Sequence, residues 1–305
     1  MGQVMTPDLP PSFGARLIGF LATLVLSLPG ATLAWASPGD KEVARVVIFG
    51  GSCAKCDLSG RKLSGAQFNG SNFAGAALVG SDISGARFLG ANFAGADLSR
   101  ADLSGSEMVG ANFAGANLAN AHLRGIVARG VNFANATLTK VDLRDTEAQG
   151  SNFIHAILTN AQLNDAELQG ATLSRTEAAG ASFRNADLQG ANLSSGHFEQ
   201  AVFSDAGLDG ADLTNGQFAG ADFRDASLKR ASLYGADLSR AKNLDQDQID
   251  EACADATTRL PPGLEPHTCR GGVSRWSVWR APTAPSAPTA PLAPAAPRTP
   301  RPPPR

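Results

Sequence analysis

Residues 96–103 read Ala-Asp-Leu-Ser-Arg-Ala-Asp-Leu, and this five-residue unit is repeated along most of the chain. From Leu58 to Leu238 an apolar residue, the centre of each unit, recurs at every fifth position without a change of phase. The 37 centres comprise 20 Leu, 12 Phe, three Ala, one Ile and one Met. A period of five fits neither a helix, at about 3.6 residues per turn, nor a flat strand, so the chain must turn a corner every five residues.

Two further positions of the unit are restricted. The residue two before the centre is small, with Ala in 24 of the 37 units, and the residue two after it is often Gly. The unit resembles A-[D/N]-L-x-x, the consensus of the pentapeptide repeat family. The resemblance implies an all-β solenoid, a right-handed quadrilateral parallel β-helix, in which four units form one coil. It also implies that the centre and the small residue point inward. We therefore expect about nine coils over residues 57–241, from 37 units at four per coil.

The sequence supports four sides independently of the resemblance. Asn-Phe pairs recur at twenty-residue spacing, which stacks identical side chains on successive coils. Each of the small centres Ala128, Ala148 and Ala178 is followed by a Phe centre, as a constant interior cross-section requires. These Phe residues are interpreted as packing residues, and no ligand pocket is expected. The stacked sets are Asn72-Phe73, Asn92-Phe93, Asn112-Phe113, Asn132-Phe133 and Asn152-Phe153, then Phe68 with Phe88, Phe183 with Phe203 and Phe223, and Phe198 with Phe218.

The N-terminus has the three parts of an export signal. Arg16 precedes an apolar run over 17–28, a Pro-Gly break follows, and Ala34-Trp35-Ala36 supplies small residues for cleavage between Ala36 and Ser37. An uncleaved anchor is disfavoured because 12 apolar residues are too short for a bilayer core of about 30 Å, and a buried helix is disfavoured by the helix break. We expect residues 1–36 to be a signal peptide, the mature form to have no membrane span, and the protein to be periplasmic or secreted.

Caps are predicted at both ends of the solenoid. At the N-terminal end, residues 37–56 form a cap with a Cys-x-x-Cys motif, in which 46–49 (Val-Val-Ile-Phe) are a β-strand or an apolar plug. At the other end, residues 242–272 form a cap with a short helix, begun by Asp245 and Gln248. Its apolar stripe would lie on the last coil, and Pro261 and Pro262 would end it or its frayed tail. The stripe comprises Ile249, Ala252, Cys253 and Ala256. This cap also offers a surface for a homodimer.

The C-terminal segment 273–305 is rich in Pro and Ala. From Pro282 to Pro300 a proline falls at every third position, the period of a polyproline II helix. We expect this segment to be extended and disordered. It is either a solvated linker or, through its basic end, a contact for an anionic surface such as cell wall or lipopolysaccharide.

Four cysteines pose a redox or metal question. Cys53 and Cys56 form a Cys-x-x-Cys motif, but the solenoid begins directly after it, whereas a redox pair usually precedes a helix. Cys253 and Cys269 lie some nine coils away, so the four cannot share one ion. In an oxidising compartment two local disulfides are predicted, Cys53–Cys56 and Cys253–Cys269. A thiol redox protein acting through Cys53 and Cys56 is kept as an alternative function.

The other polar residues suggest no catalytic or metal site. His122, His155 and His197 fall in three different outward columns by the twenty-residue register, so they cannot converge. Two neighbouring columns carry opposite charges and predict a ladder of exposed ion pairs, each contributing little to stability. These columns are Arg124, Arg144, Arg184 and Arg224, and Asp145, Asp165, Asp205 and Asp225.

The sequence therefore favours an exported, non-catalytic structural or interaction module without cofactor, bound to a protein or to a cell-envelope polymer. The net charge of −2 does not favour nucleic acid as a partner. The family resemblance implies one alternative, since certain pentapeptide repeat proteins mimic B-DNA and protect DNA gyrase. Residues 57–241 contain 19 acidic and 14 basic residues, a weak imitation of a polymer with one charge per about 1.7 Å.

Overall fold

The computed structural model describes residues 51–269. Several predicted features lie outside the described residues. They are the signal peptide with its cleavage site between Ala36 and Ser37, residues 37–50 of the N-terminal cap, and the proline-rich tail. In the described part no helix is long and apolar enough to cross a membrane.

Residues 51–242 form a parallel β-solenoid with twenty residues per coil. The residue before each centre makes a parallel β-bridge to the residue twenty positions later, from Ser52 with Asn72 to Asp222 with Lys242. Each bridge involves a single residue of each coil, because a corner turn lies on either side of it. The predicted four units per coil are therefore confirmed, and the faces of the solenoid are narrow parallel ladders.

A turn closes every corner in the same way. The N–H of Ala101 donates to the carbonyl of Leu98 at 3.0 Å, and the same bond recurs at most of the other corners, though not from Ile126 or Thr146. The residue two after the centre has a left-handed backbone, with φ of +59° at Arg100 and +66° at Gly60. Gly recurs at this position because it adopts positive φ without steric strain, and Asn and Asp, which tolerate it best among the others, supply many of the exceptions.

The interior is filled by the two predicted inward positions. The centres from Leu63 to Leu238 and the residues two before them are buried, except that Arg61 is only half-buried. Phe68 packs edge-on against Phe73 within one coil, at 5.1 Å between ring centroids. Centres on adjoining faces are therefore in contact, and the coil cross-section is shared between them.

The C-terminal end differs from the prediction. Helix α1 spans Gln246–Asp250, begins with the capping box of Asp245 and Gln248, and buries Ile249. The helical stripe predicted to continue to Ala256 is wrong, because Ala256 is exposed and the chain returns to the solenoid. Cys253 bridges to Ser232 and Arg259 bridges to Asp237, both in parallel. Pairing with the open edge of the last coil satisfies backbone groups that a longer helix would leave without partners.

The side chain of Gln248 binds backbone carbonyls of the last coil that the short helix leaves without partners. Its Nε2 donates to the carbonyls of Phe223 and Ala226, each at 2.8 Å. Thr258 adds a bond from its hydroxyl to the carbonyl of Leu233 at 2.9 Å. These contacts end the ladder with side-chain donors instead of another coil.

Candidate binding face

One of the four faces is chemically distinct, and we call it the Asn face. It comprises the units 71–75, 91–95 and their successors at twenty-residue steps to 231–235. Its first units read Ser-Asn-Phe-Ala-Gly, Ala-Asn-Phe-Ala-Gly, Ala-Asn-Phe-Ala-Gly and Val-Asn-Phe-Ala-Asn.

A ladder of side-chain amides runs along the Asn face. The Nδ2 of Asn92 donates to the Oδ1 of Asn72 at 3.1 Å, and Asn112 donates to Asn92 at 3.2 Å. Asn132 and Asn152 continue the series at 3.1 and 3.2 Å. The Oδ1 of each Asn also accepts the backbone N–H two residues later, for example that of Ala94 at 3.1 Å. The amide oxygens from Asn72 to Asn132 thus accept two bonds each.

Stacked Phe rings support the amide ladder from inside. Phe73 and Phe93 have ring centroids 4.9 Å apart, and Phe93 and Phe113 are 4.8 Å apart with nearly parallel planes. The column continues through Phe133 to Phe153. All five rings are buried. The Asn side chains therefore stand on a packed base that fixes their spacing at one residue per coil.

The rest of the Asn face is nearly free of side chains. Its outward turn position is Ala in the first four units, and the left-handed position is Gly in the first three. The corner shared with the preceding face is Gly in every coil from Gly70 to Gly210. A Cβ added at Gly90 or Gly110 would meet no atom within 4 Å, while Leu89 and Val109 occupy the other position of the same corner turns. Between its corners, the first five units of the Asn face present only the Asn side chains outward, so this part of the face is flat.

Charge avoids the Asn face. Of the 19 acidic and 14 basic residues in 57–241, only Arg175 and Asp212 lie on it, and both follow the last rung at Asn152. The other three faces carry the remaining 31 charges. The uncharged part of the Asn face comprises the five units from 71–75 to 151–155, and Lys55, in the unit that pairs with 71–75, lies just before it, with its Cγ 3.5 Å from where a Cβ on Gly75 would be.

The predicted ion-pair ladder on a charged face forms only in part. Arg124 pairs with Asp145 at 2.8 Å as expected. Arg144 instead turns back to Asp142 in its own unit, with two bonds of 2.8 and 2.7 Å. Arg224 lies 3.7 Å from Asp222 in the same way. The expected pairing fails here because a carboxylate two residues before the Arg lies nearer than one in the next coil.

The bidentate contact changes the acidity of Asp142. The hydrogen bonds from the Arg144 side chain hold the pKa of the Asp142 carboxyl below its ordinary value, while partial burial opposes them. The same contact raises the pKa of the Arg144 guanidinium. This pair is the least exposed Arg–carboxylate pair among the described residues, with a side-chain exposure of 37% for Arg144 and 18% for Asp142.

The histidines do not converge. His197 lies 3.2 Å from Glu199 through its Nδ1, and His122 and His155 occupy other columns. Among residues 51–269 there is no group of three His, Cys, Asp or Glu side chains that could hold a metal ion.

Both cysteine pairs lie at disulfide distance, with Cα atoms 5.3 Å apart in each. Cys53 and Cys56 occupy the two inward positions on either side of a corner turn, and the N–H of Cys56 donates to the carbonyl of Cys53. The motif thus sits in a solenoid corner and not at a helix N-terminus. Cys269 returns to Cys253 beside the last bridges. That the two pairs are oxidised in the protein stays a prediction.

Four faces of parallel bridges around a filled interior define a β-solenoid built from five-residue units. Two family models match it, one described as a pentapeptide repeat region over residues 96–173, and one as pentapeptide repeats (8 copies) over 52–88, 71–108, 166–205, 181–216 and 206–242. The chain belongs to the pentapeptide repeat family, since these matches together cover residues 52–242.

Solved structures of the same family are similar to this chain. HetL, involved in heterocyst differentiation regulation in the cyanobacterium Nostoc sp. strain PCC 7120, is 31% identical over 61% of this chain and 84% of its own, with a TM-score of 0.38. A protein of the Arabidopsis thaliana thylakoid lumen is 35% identical over 34% of this chain and 71% of its own, with a TM-score of 0.33. QnrB1, a plasmid-mediated fluoroquinolone resistance protein, is 23% identical over 67% and 94%, with a TM-score of 0.33. A search of curated proteins found no match.

Proposed function

We propose that this protein is an exported, non-catalytic binding module that attaches to a component of the cell envelope through the Asn face. The observation that carries the proposal is the absence of Asp, Glu, Lys and Arg from the first five units of the Asn face, 71–75 to 151–155, whereas each of the other three faces carries charges over the same coils. A face kept flat, uncharged and rigid over five coils is suited to an extended partner, since a preformed surface loses little conformational entropy on binding.

Export is supported by the sequence and by the cysteines. Ala34-Trp35-Ala36 provides a cleavage site, and both cysteine pairs have the geometry expected in an oxidising compartment. The partner would accordingly be an envelope protein or polymer.

The alternative, imitation of DNA toward gyrase, requires a continuous acidic surface in the cytoplasm. Here several carboxylates of the charged faces are matched by arginines, as in the pairs of Arg87 with Glu107 and Arg129 with Glu147. The net charge of residues 57–241, −5 from 19 acidic and 14 basic residues, is low for such a role.

Cell fractionation followed by N-terminal sequencing tests the proposal, together with co-sedimentation of the purified protein with washed envelope fragments. We expect a mature form that begins at Ser37 and sediments with the envelope. An Ala36→Leu variant is the control, because loss of the small residue should leave the signal uncleaved. A cytosolic protein with Met1 retained, active in protecting gyrase supercoiling from a fluoroquinolone, would replace this proposal with the alternative.

A further inference from the structure

We propose that the Asn face binds an uncharged, N-acetylated glycan strand laid along the solenoid axis. The inference rests on the proposed function and specifies its partner. It starts from the hydrogen-bonding capacity that the amide ladder leaves unused.

The ladder presents donors and withholds acceptors. Each Asn amide has two N–H donors and one oxygen with two lone pairs. Asn92, Asn112 and Asn132 each donate one N–H to the preceding Asn, and each oxygen accepts twice. One N–H of each therefore has no partner among residues 51–269. The half-buried amides form a row with one free donor per coil.

A partner must offer neutral acceptors. An anionic partner would lose hydration against units 71–155, which carry no Lys or Arg, and Arg129 at the bordering corner is already paired with Glu147. An amide carbonyl is a stronger neutral acceptor than a hydroxyl. In an acetamido group this carbonyl also carries a methyl group. The methyls of Ala94 and Ala114 lie next to the donor row, in the same units, and supply the apolar contact for that group.

The repeat favours a linear polymer. Successive rungs lie about 5 Å apart, as the 4.8 and 4.9 Å ring spacings beneath them show, and in a β-1,4-linked strand the acetamido groups of alternate sugars, which point to the same side, would meet every second rung. Each contact is weak alone, but linked contacts reinforce one another. The Gly positions from Gly70 onward leave one of the two residues of each corner turn without a side chain, which gives the strand room beside the donor row.

A second copy of the chain fits less well. Two Asn faces in contact would place donors against donors, because the amide oxygens are already saturated. Buried donors without acceptors destabilise an interface. Self-association is therefore an outcome that would contradict the inference.

Chitin, cellulose and chitosan provide the test, since all are β-1,4-linked polymers of glucose or glucosamine that differ only in the substituent at C2: acetamido, hydroxyl or ammonium. Binding isotherms are measured by pull-down with the protein as the cell processes it. We expect retention on chitin and at least about tenfold weaker retention on cellulose and chitosan, because only acetamido supplies a neutral carbonyl.

Matched variants locate the surface. Ala94→Arg with Ala114→Arg places charge on the Asn face, and Ala119→Arg with Ala179→Arg makes the same change at the same turn position of another face. The first pair should weaken chitin binding about tenfold or more, and the second should leave it nearly unchanged.

Asn92→Ser with Asn112→Ser removes donors while using a residue already present at this position in Ser182 and Ser232. Circular dichroism checks the fold of each variant.

The outcomes separate the inference from the proposed function. Equal binding to chitin and cellulose, equal loss in both Arg pairs, or a change of oligomeric state confined to the Asn-face variants would overturn the glycan inference. Sedimentation with the envelope but no retention on chitin would do the same and leave the proposed function standing. Failure to sediment with the envelope would remove the proposed function itself.

Discussion

Phe113 and Phe133 stack on successive coils with centroids 5.5 Å apart and planes inclined by 26°, the largest separation and tilt in the column from Phe73 to Phe153. The neighbouring centre changes at the same point, from Met108 in one coil to Ala128 in the next. The ring of Phe133 therefore has a small residue beside it, where Phe113 has a long one.

We expect Ala128 and Phe133 to be energetically coupled. Phe133→Leu should destabilise by a few kcal/mol through lost contacts and a cavity, and Ala128→Leu should destabilise by overpacking. The double variant recreates the pair Leu168 and Leu173, so a double-mutant cycle should give a favourable coupling of roughly 0.5–3 kcal/mol. The cycle is measured by denaturant unfolding; additive effects would mean that the two centres do not share one cross-section.

Gly216 should not tolerate a methyl group. Its Cβ would lie 2.5 Å from Cε2 of Phe218 and 3.1 Å from the carbonyl oxygen of Leu213. Gly216→Ala should therefore destabilise by about 1–3 kcal/mol, and Phe218→Leu in the same chain should relieve part of the loss. The control is Gly207→Ala, where the nearest atom would be 3.8 Å away. Thermal unfolding compares them, and equal shifts in both single variants would refute the steric explanation.

Arg144 should control the titration of Asp142. Because the folded pKa of Asp142 lies below its unfolded value, the contact stabilises the fold above the ordinary Asp pKa of about 3.9 and loses that effect as the pH falls through the folded pKa. In Arg144→Gln the carboxyl should titrate at higher pH, as NMR of the labelled carboxyl would report. Arg184→Gln is the control, since Ser182 and not an acid lies two residues before it. An unchanged Asp142 titration in Arg144→Gln would contradict the assignment.

Oxidation of Cys253 and Cys269 should pin the C-terminal cap. They are 16 residues apart, and closing a loop of this size contributes about 3 kcal/mol on the chain-entropy model. Peptide mapping without reductant should recover them as one linked pair, and Cys269→Ser should lower the unfolding midpoint. Two free thiols at Cys253 and Cys269 in the protein isolated from cells would contradict this, whatever the state of Cys53 and Cys56.

The regular part of the fold could be predicted from the sequence because its period is enforced at every unit. The apolar centres fix which residues point inward, and the Asn-Phe pairs fix twenty residues per coil. The C-terminal cap could not be predicted in the same way. The spacing of Ile249, Ala252 and Cys253 is helical, yet the unpaired edge of the last coil competes for the same residues and takes Cys253.

The candidate site was visible in the sequence only in part. The Asn repeats at 72–152 predicted a ladder, but the absence of charge from the same face emerges only when residues are sorted by face. The pattern also gave no reason for Gly196 and Gly216, which replace the usual Ala two residues before Phe198 and Phe218. Their reason is steric and depends on which way those two rings turn.

The four-unit coil has a consequence for insertions and deletions. A deletion of twenty residues would remove one coil and leave every later side chain on its original face. Losing five would keep the inward residues inward, but it would rotate all later residues by a quarter turn about the axis. The interior would remain packed while the amide ladder was cut and continued on an adjacent side. An insertion or deletion thus changes the rotation of all later residues about the solenoid axis, and only a multiple of twenty residues keeps each side chain on its original face.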